Sequence, residues 1–134
     1  MSDTLLEKCV ARNIRMTAQR NVIVKVIEQS EDHPDVDSLY RRSVEVDNTI
    51  SIATVYRTVK LLEEAGVIER LEFGDGRARY EEAGEHHEHL VDVETGEVIE
   101  FFDAELEDMK RAIAEKMGYD LVDHRLELYG RKKR

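Results

Sequence analysis

The segment ISIATVYRTVKLLEEAG, residues 50–66, running straight into VIERLEFGDGRARYEE, residues 67–82, most narrows what this chain can fold into. Over residues 50–66, Ile52, Val55, Val59 and Leu62 recur at helical spacing. Ser51 stands at the N-cap position and Gly66 at the stop, so the pattern predicts an amphipathic helix. Over residues 67–82, a pair of alternating runs flanks Gly74-Asp75-Gly76, a turn that supplies the positive φ values of a tight hairpin. Upstream, TLLEKCVARN (4–13) carries Thr4 and Glu7 in capping-box spacing. TAQRNVIVKVIEQS (17–30) lines up Val22, Ile23, Val26 and Ile27 on one stripe. The breaker Asp32-His33-Pro34-Asp35 precedes VDSLYRRSVEV, where Val36, Leu39, Tyr40 and Val44 again keep helical spacing. Three or four helices followed by a two-stranded hairpin is the order of a winged helix-turn-helix.

That order points to DNA. A helix fits the major groove, Arg makes a bidentate contact to guanine, Tyr or a Thr methyl touches the thymine methyl, and Ser, Thr and Lys hold phosphates. The outward side of the 50–66 helix offers Ser51, Thr54, Tyr56, Arg57, Thr58 and Lys60, with Tyr56 and Arg57 as the base readers. Arg15, Arg77 and Arg79 are placed to reach backbone or minor groove. By pattern alone, Tyr56 and Arg57 covering an ordinary surface helix is an equal alternative.

The C-terminal third contains EHHEHL, residues 85–90: three histidines and two glutamates in six positions. HLVDVETGEVIEFF reads as two strands around a Thr-Gly turn, DAELEDMKRAIAEKMG (103–118) as a helix with Leu106, Met109, Ile113 and Met117 as its stripe, and LVDHRLELYG (121–130) as a further strand. A sheet of about three strands and one helix is marginal alone, so pairing across a dimer is the expected remedy. If residues 85–93 are extended, their side chains alternate between faces: His87 and His89 point one way, His86 and Glu88 the other. Two separate metal sites follow, of the imidazole and carboxylate type that suits Zn(II), Fe(II) and Mn(II). His124, with Val122, Leu126 and Leu128 on the expected inward face of its strand, is either a hydrogen-bonded core residue or a ligand. His33 is a loop histidine, and Glu81, Glu100 and Glu107 are not singled out by pattern.

Charge fits this division. The chain carries 20 Lys and Arg against 30 Asp and Glu, a net −10, which argues against nonspecific nucleic-acid or membrane binding by the whole surface. Residues 1–80 hold 12 basic and 14 acidic side chains, whereas residues 81–134 hold 8 and 16, so the negative charge lies where EHHEHL lies. Bound cations or a solvated acidic face both account for it. One cysteine, Cys9, excludes an internal disulfide and any all-cysteine zinc site. The longest apolar runs are far short of a membrane span and the N-terminus lacks signal-peptide character, so the expected location is the cytoplasm.

Taken together, RMTAQR, HPDVDSLYRR, SIATVYRTVKLLEEAG, GDGRARYE, HHEHL and HRLELYG, in that order across residues 15–130, resemble the ferric uptake regulator (Fur) family, most of all its alphaproteobacterial iron- and manganese-responsive branch. The resemblance implies an α+β chain, with a winged helix-turn-helix DNA-binding domain over residues 1–82 and a small α/β dimerisation and metal-binding domain over 83–134. It implies a regulatory metal site of His33, Glu81, His87, His89 and Glu100, and a second site of His86, Glu88, Glu107 and His124. It places Arg15, Ser51, Thr54, Tyr56 and Arg57 on DNA. The implied function is a non-enzymatic repressor of iron or manganese uptake genes, with Fe(II) or Mn(II) as corepressor and Zn(II) able to replace them in vitro. The implied partners are a palindromic AT-rich duplex and a second copy of the chain, with a tetramer on DNA as a larger assembly and no membrane. Many members hold a structural zinc through CxxC after HHxHL; here Asp92-Val93-Glu94-Thr95 occupies those positions, so that zinc is expected to be absent. The alternatives are a peroxide-sensing family member, a metal buffer or a metalloenzyme.

Overall fold

The computed structural model describes residues 4–74, 76–84 and 87–134. Among them the order is α1 (Leu5–Ala11), α2 (Ala18–Gln29), α3 (Val36–Val46), α4 (Ile52–Glu64), β1 (Ile68–Glu72), β2 (Ala78–Glu82), β3 (Glu88–Asp92), β4 (Val98–Phe101), α5 (Ala104–Lys116) and β5 (Glu127–Gly130). The chain divides into two compact units, Met1–Gly84 and Glu85–Arg134.

In the first unit each helix begins where a short polar side chain takes up an orphan backbone donor. Thr4 accepts from the Glu7 N–H, Thr17 from Arg20, Asp35 from Ser38 and Ser51 from Thr54. The helices bury a common core of Leu5, Ile23, Leu39, Val55 and Leu62, joined by Ile68 from β1, all between 0% and 2% exposed. Cys9 belongs to this core, and burial, aided by the Glu82 charge, pushes its thiol pKa up, which suits an inert packing residue. β1 and β2 pair antiparallel from Ile68 opposite Glu82 to Glu72 opposite Ala78. The expected turn is present at Gly74 (φ +83°) and Gly76 (φ +78°), while Asp75 lies outside the described residues. One expectation for α4 is corrected. Its buried face is Val55, Thr58, Val59 and Leu62, whereas Ile52 is 43% exposed and Thr58 only 2%. The spacing 55, 58, 59, 62 completes a packed stripe by itself, and Ile52, the first helical residue, lies a turn ahead of it.

The second unit is built on a three-stranded sheet in the order β4-β3-β5. β3 and β4 form a hairpin in which the Asp92 carboxylate accepts the backbone N–H groups of Glu94 (2.9 Å) and Thr95 (3.2 Å). β5 returns by way of α5 to pair parallel with β3. The expected strand over 121–130 is shorter, Glu127–Gly130, and Val122, placed on its inward face, is 94% exposed. The α5 stripe is likewise not buried within the chain. Met109, Ile113 and Met117 are 54–70% exposed, and the one buried residue of α5 is Glu107. Three strands and one helix supply too little apolar surface to cover both the sheet and the helix.

These packing differences set the response to truncation. Leu39→Ala should lower the unfolding free energy by about 2–5 kcal/mol through the cavity it leaves. Ile52→Ala should stay within about 0.5 kcal/mol, as a surface change does. Urea denaturation of the first unit's helical signal measures both.

Candidate metal and nucleic-acid sites

The outward side of α4 keeps Tyr56 58% exposed, with Arg57 and Lys60 exposed beside it. The Arg57 guanidinium donates to Thr54 Oγ1 at 3.3 Å, and Thr54 Oγ1 lies 3.0 Å from the capping hydroxyl of Ser51, so the cap and the cation form one short hydrogen-bonded row. Arg15 is exposed just before α2, and its carbonyl accepts from the Arg20 guanidinium. The hairpin arginines differ from expectation. Arg79 is 6% exposed, with its guanidinium 5.8 Å from the centre of the Phe73 ring, so it is packed against the hairpin instead of standing out from it. Arg77 binds Asp35 at 2.8 Å.

That Arg77–Asp35 contact ties the hairpin to the loop that carries His33. The Arg42 fork binds both oxygens of Asp32 (2.9 and 2.7 Å) and the Ser30 hydroxyl (2.9 Å). The Arg42 hydrogen bond holds the Asp32 carboxyl below its ordinary pKa against the opposing effect of burial. The Pro34 carbonyl accepts the Tyr80 N–H from β2 at 2.9 Å. The breaker Asp32-His33-Pro34-Asp35 is therefore strapped on both sides, and His33 is set with Nε2 2.8 Å from Glu81 Oε2 of β2. Both side chains are at most 10% exposed.

In the second unit, His89 faces Glu100 across the β3–β4 pairing, His87 Nε2 lies 3.3 Å from Glu100 Oε1, and the two imidazole rings are 4.8 Å apart in an edge-to-face arrangement. Glu88, the residue between them, turns to a different cluster. Potential ligand atoms of Glu88, Glu107 and His124 lie within 4.8 Å of one another, with Glu88 1% and Glu107 4% exposed. His124 Nε2 is 3.0 Å from Glu107 Oε2. His124 sits in the stretch before β5, not on a strand. His86 lies outside the described residues. The structure thus groups His33 with Glu81, His87 and His89 with Glu100, and Glu88 with Glu107 and His124. Imidazole nitrogens with carboxylate oxygens are donors suited to Zn(II), Fe(II) and Mn(II), and the donor types fit a divalent ion at each cluster.

Sequence reasoning missed two contributors: Lys110, whose ammonium lies inside the Glu88 cluster, and the Arg42–Asp32 strap. The helical i, i+3 spacing of Glu107 and Lys110 was the available signal for the first. Asp92 is engaged in the β3–β4 turn, where the backbone N–H of Glu94 holds its carboxyl pKa down.

The model of the ferric uptake regulator family matches residues 11–129. The chain belongs to the ferric uptake regulator family. It is 60% identical over 131 residues to the ferric uptake regulation protein of Rhizobium leguminosarum bv. viciae, covering 97% of this chain and 92% of that one. Among solved structures, it is similar to a zinc-bound manganese uptake regulator (58% identity, TM-score 0.83, 98% of this chain and 100% of that one). It is also similar to the Vibrio cholerae ferric uptake regulator (34% identity, TM-score 0.83, 94% and 98%), a structure described as revealing a rearrangement of the DNA-binding domains. A ferric uptake regulator is a transcription regulator and not an enzyme, which removes the metalloenzyme alternative. Its α+β architecture is the family's, with a DNA-binding and a dimerisation domain. Among the described residues, no helix is long and apolar enough to cross a membrane.

The strap around His33 gives a local prediction. Arg42→Ala should change global stability by less than about 1 kcal/mol, because the pair is partly exposed, yet speed amide hydrogen exchange through residues 30–35.

Proposed function

We propose that this chain is a metal-dependent, dimeric repressor of iron or manganese uptake genes, acting in the cytoplasm. In this reading Fe(II) or Mn(II), with Zn(II) as a replacement in vitro, binds His33 and Glu81 from the first unit together with His87, His89 and Glu100 from the second. Residues 1–82 serve as the DNA-binding domain and 83–134 as the dimerisation domain. The observation that carries the reading is the way His33 is anchored. Its loop is bonded to β2 through Pro34 and Tyr80, and to the hairpin through Asp35 and Arg77. A ligand fixed to the hairpin cannot shift without the hairpin, so an ion that draws His33 and Glu81 toward the second unit draws the DNA-binding surface with them. The metal's binding free energy is then spent on one relative orientation of the domains.

The second unit supports dimerisation by what it leaves uncovered. Ile99, Phe102, Met109, Ile113, Met117 and Leu128 are each at least 43% exposed, and an apolar surface of that extent needs a partner. A second copy covers it isologously, and two copies present two α4 helices to a palindrome. On DNA, Tyr56 and Arg57 read bases, Ser51 and Thr54 meet phosphate, and Arg15 enters the minor groove. Without metal the domains sample many orientations, and apparent DNA affinity falls by the competent fraction. Glu88, Glu107 and His124, with His86, form the second metal site. The zinc-bound and manganese-named relative supports both metals as candidates for this chain.

Binding of the metal-stripped chain to a labelled AT-rich palindromic duplex, followed by fluorescence anisotropy during anaerobic Mn(II) titration, tests this function. Mn(II) should tighten binding tenfold or more, about 1.4 kcal/mol of coupling. His87→Ala/His89→Ala should abolish the effect of metal, while Arg57→Ala should weaken binding with and without it. Metal uptake that leaves DNA affinity unmoved would mean a metal buffer instead. In sedimentation, Met109→Glu/Ile113→Glu should shift the chain toward monomer; an unchanged dimer would place the interface elsewhere.

A further inference from the structure

Glu88 and Glu107 are buried carboxylates, 1% and 4% exposed, and burying two like charges together is strongly unfavourable unless cations accompany them. The structure supplies a cation from the chain itself. The Lys110 ammonium bonds Glu88 Oε1, lies 3.4 Å from Glu107 Oε1 and 2.9 Å from His124 Nδ1, and its side chain is only 15% exposed. One ammonium thus touches all three members of the donor cluster, at the place where a divalent ion would have to sit to touch them too. Lys110 is one helical turn beyond Glu107 on α5, so the helix that provides a ligand also provides the competing charge.

We propose that Lys110 is an internal cation of the Glu88–Glu107–His124 cluster. It holds the junction of β3, α5 and the 121–126 stretch together without metal, and a divalent ion enters only by expelling it. The inference rests on the reading of that cluster as a second metal site and adds a residue that opposes metal there. Charge decides the direction. The two carboxylates and one ammonium together carry −1, and a divalent ion in place of the ammonium brings that sum to zero. Both cations within a few ångströms would repel each other in a poorly solvated space. Lysine suits the role because its compact charge rides on a flexible four-carbon stem that can swing into water when displaced. The consequence for this chain is specific. It lacks the cysteine pair that would hold a structural zinc, and Lys110 gives its second unit a cation that does not depend on metal supply. The cluster fills at a higher metal concentration than the same ligands would need without the lysine.

The test uses the full-length, metal-stripped chain in a His87→Ala/His89→Ala background, which silences the other cluster. Zinc affinity, by competition with a chromophoric chelator, and the melting temperature are compared for Lys110 and Lys110→Met. The variant should melt at least about 4 °C lower without metal, bind zinc at least tenfold more tightly, and recover its melting temperature when zinc is added. If it does not stay folded without metal, refolding on zinc addition, seen by circular dichroism, and rescue by Lys110→Met/Glu107→Gln, which restores the charge balance, are the expected results. Zinc bound equally or more weakly by the variant would overturn the proposal. If neither chain binds zinc in this background, and His124→Ala changes nothing, the metal-site reading itself fails and takes the proposal with it. That outcome is distinct from the first failure, in which zinc binds both chains alike.

Discussion

The period-two alternation of side chains along β3 is the constraint that organises both donor clusters of the second unit. Because neighbouring strand residues face opposite ways, Glu88 goes to Glu107 and His124 while His89 goes to Glu100. One short central strand therefore serves two polar clusters without mixing them. β3 can do this because it is flanked on both sides, by β4 and by β5, so its backbone donors and acceptors are engaged in the ladder and its side chains are held in register. A one-residue slip would exchange the two sets of side chains.

The first unit solves a different problem, fixing one loop histidine relative to the hairpin. His33 lies in a loop, where a lone side chain would ordinarily be mobile. Arg42 on Asp32, Tyr80 on Pro34 and Arg77 on Asp35 make the loop continuous with α3 and the hairpin. None of these contacts is worth much in stability, since most are partly exposed ion pairs. Under the proposed function their worth lies in stiffness, because coupling between a metal and a duplex requires that the elements between them move together. Arg79, buried over Phe73, ties the two strands of the hairpin together in a similar way.

Much of this was legible in the sequence, for reasons particular residues make plain. The helices of the first unit were readable because their caps, Thr4, Thr17, Asp35 and Ser51, and their apolar stripes agree, and the glycines around Asp75 marked the hairpin turn. The separation of His89 from Glu88 followed from strand geometry alone. The second unit was harder. The stripe of Met109, Ile113 and Met117 has helical periodicity, and periodicity says that a face is apolar but not what covers it. The strand expected from residue 121 begins only at Glu127, since the preceding stretch brings His124 to α5 instead of pairing. The i, i+3 spacing of Lys110 from Glu107 does not reveal its contact with Glu88, which comes from a distant strand, and hairpin alternation does not say that Arg79 lies over the Phe73 ring across the turn.

If metal and DNA act on one conformational equilibrium, their effects on each other must be reciprocal. The decisive measurement is the Mn(II) affinity of the dimer, by chelator competition, with and without a saturating AT-rich palindromic duplex. A clamp formed by His33 and Glu81 with His87, His89 and Glu100 predicts that the duplex raises Mn(II) affinity by the same factor, tenfold or more, by which Mn(II) raises DNA affinity, and that His33→Ala removes both. Equal Mn(II) affinity in the presence and absence of the duplex would mean that the two ligands share no equilibrium and that the clamp does not exist.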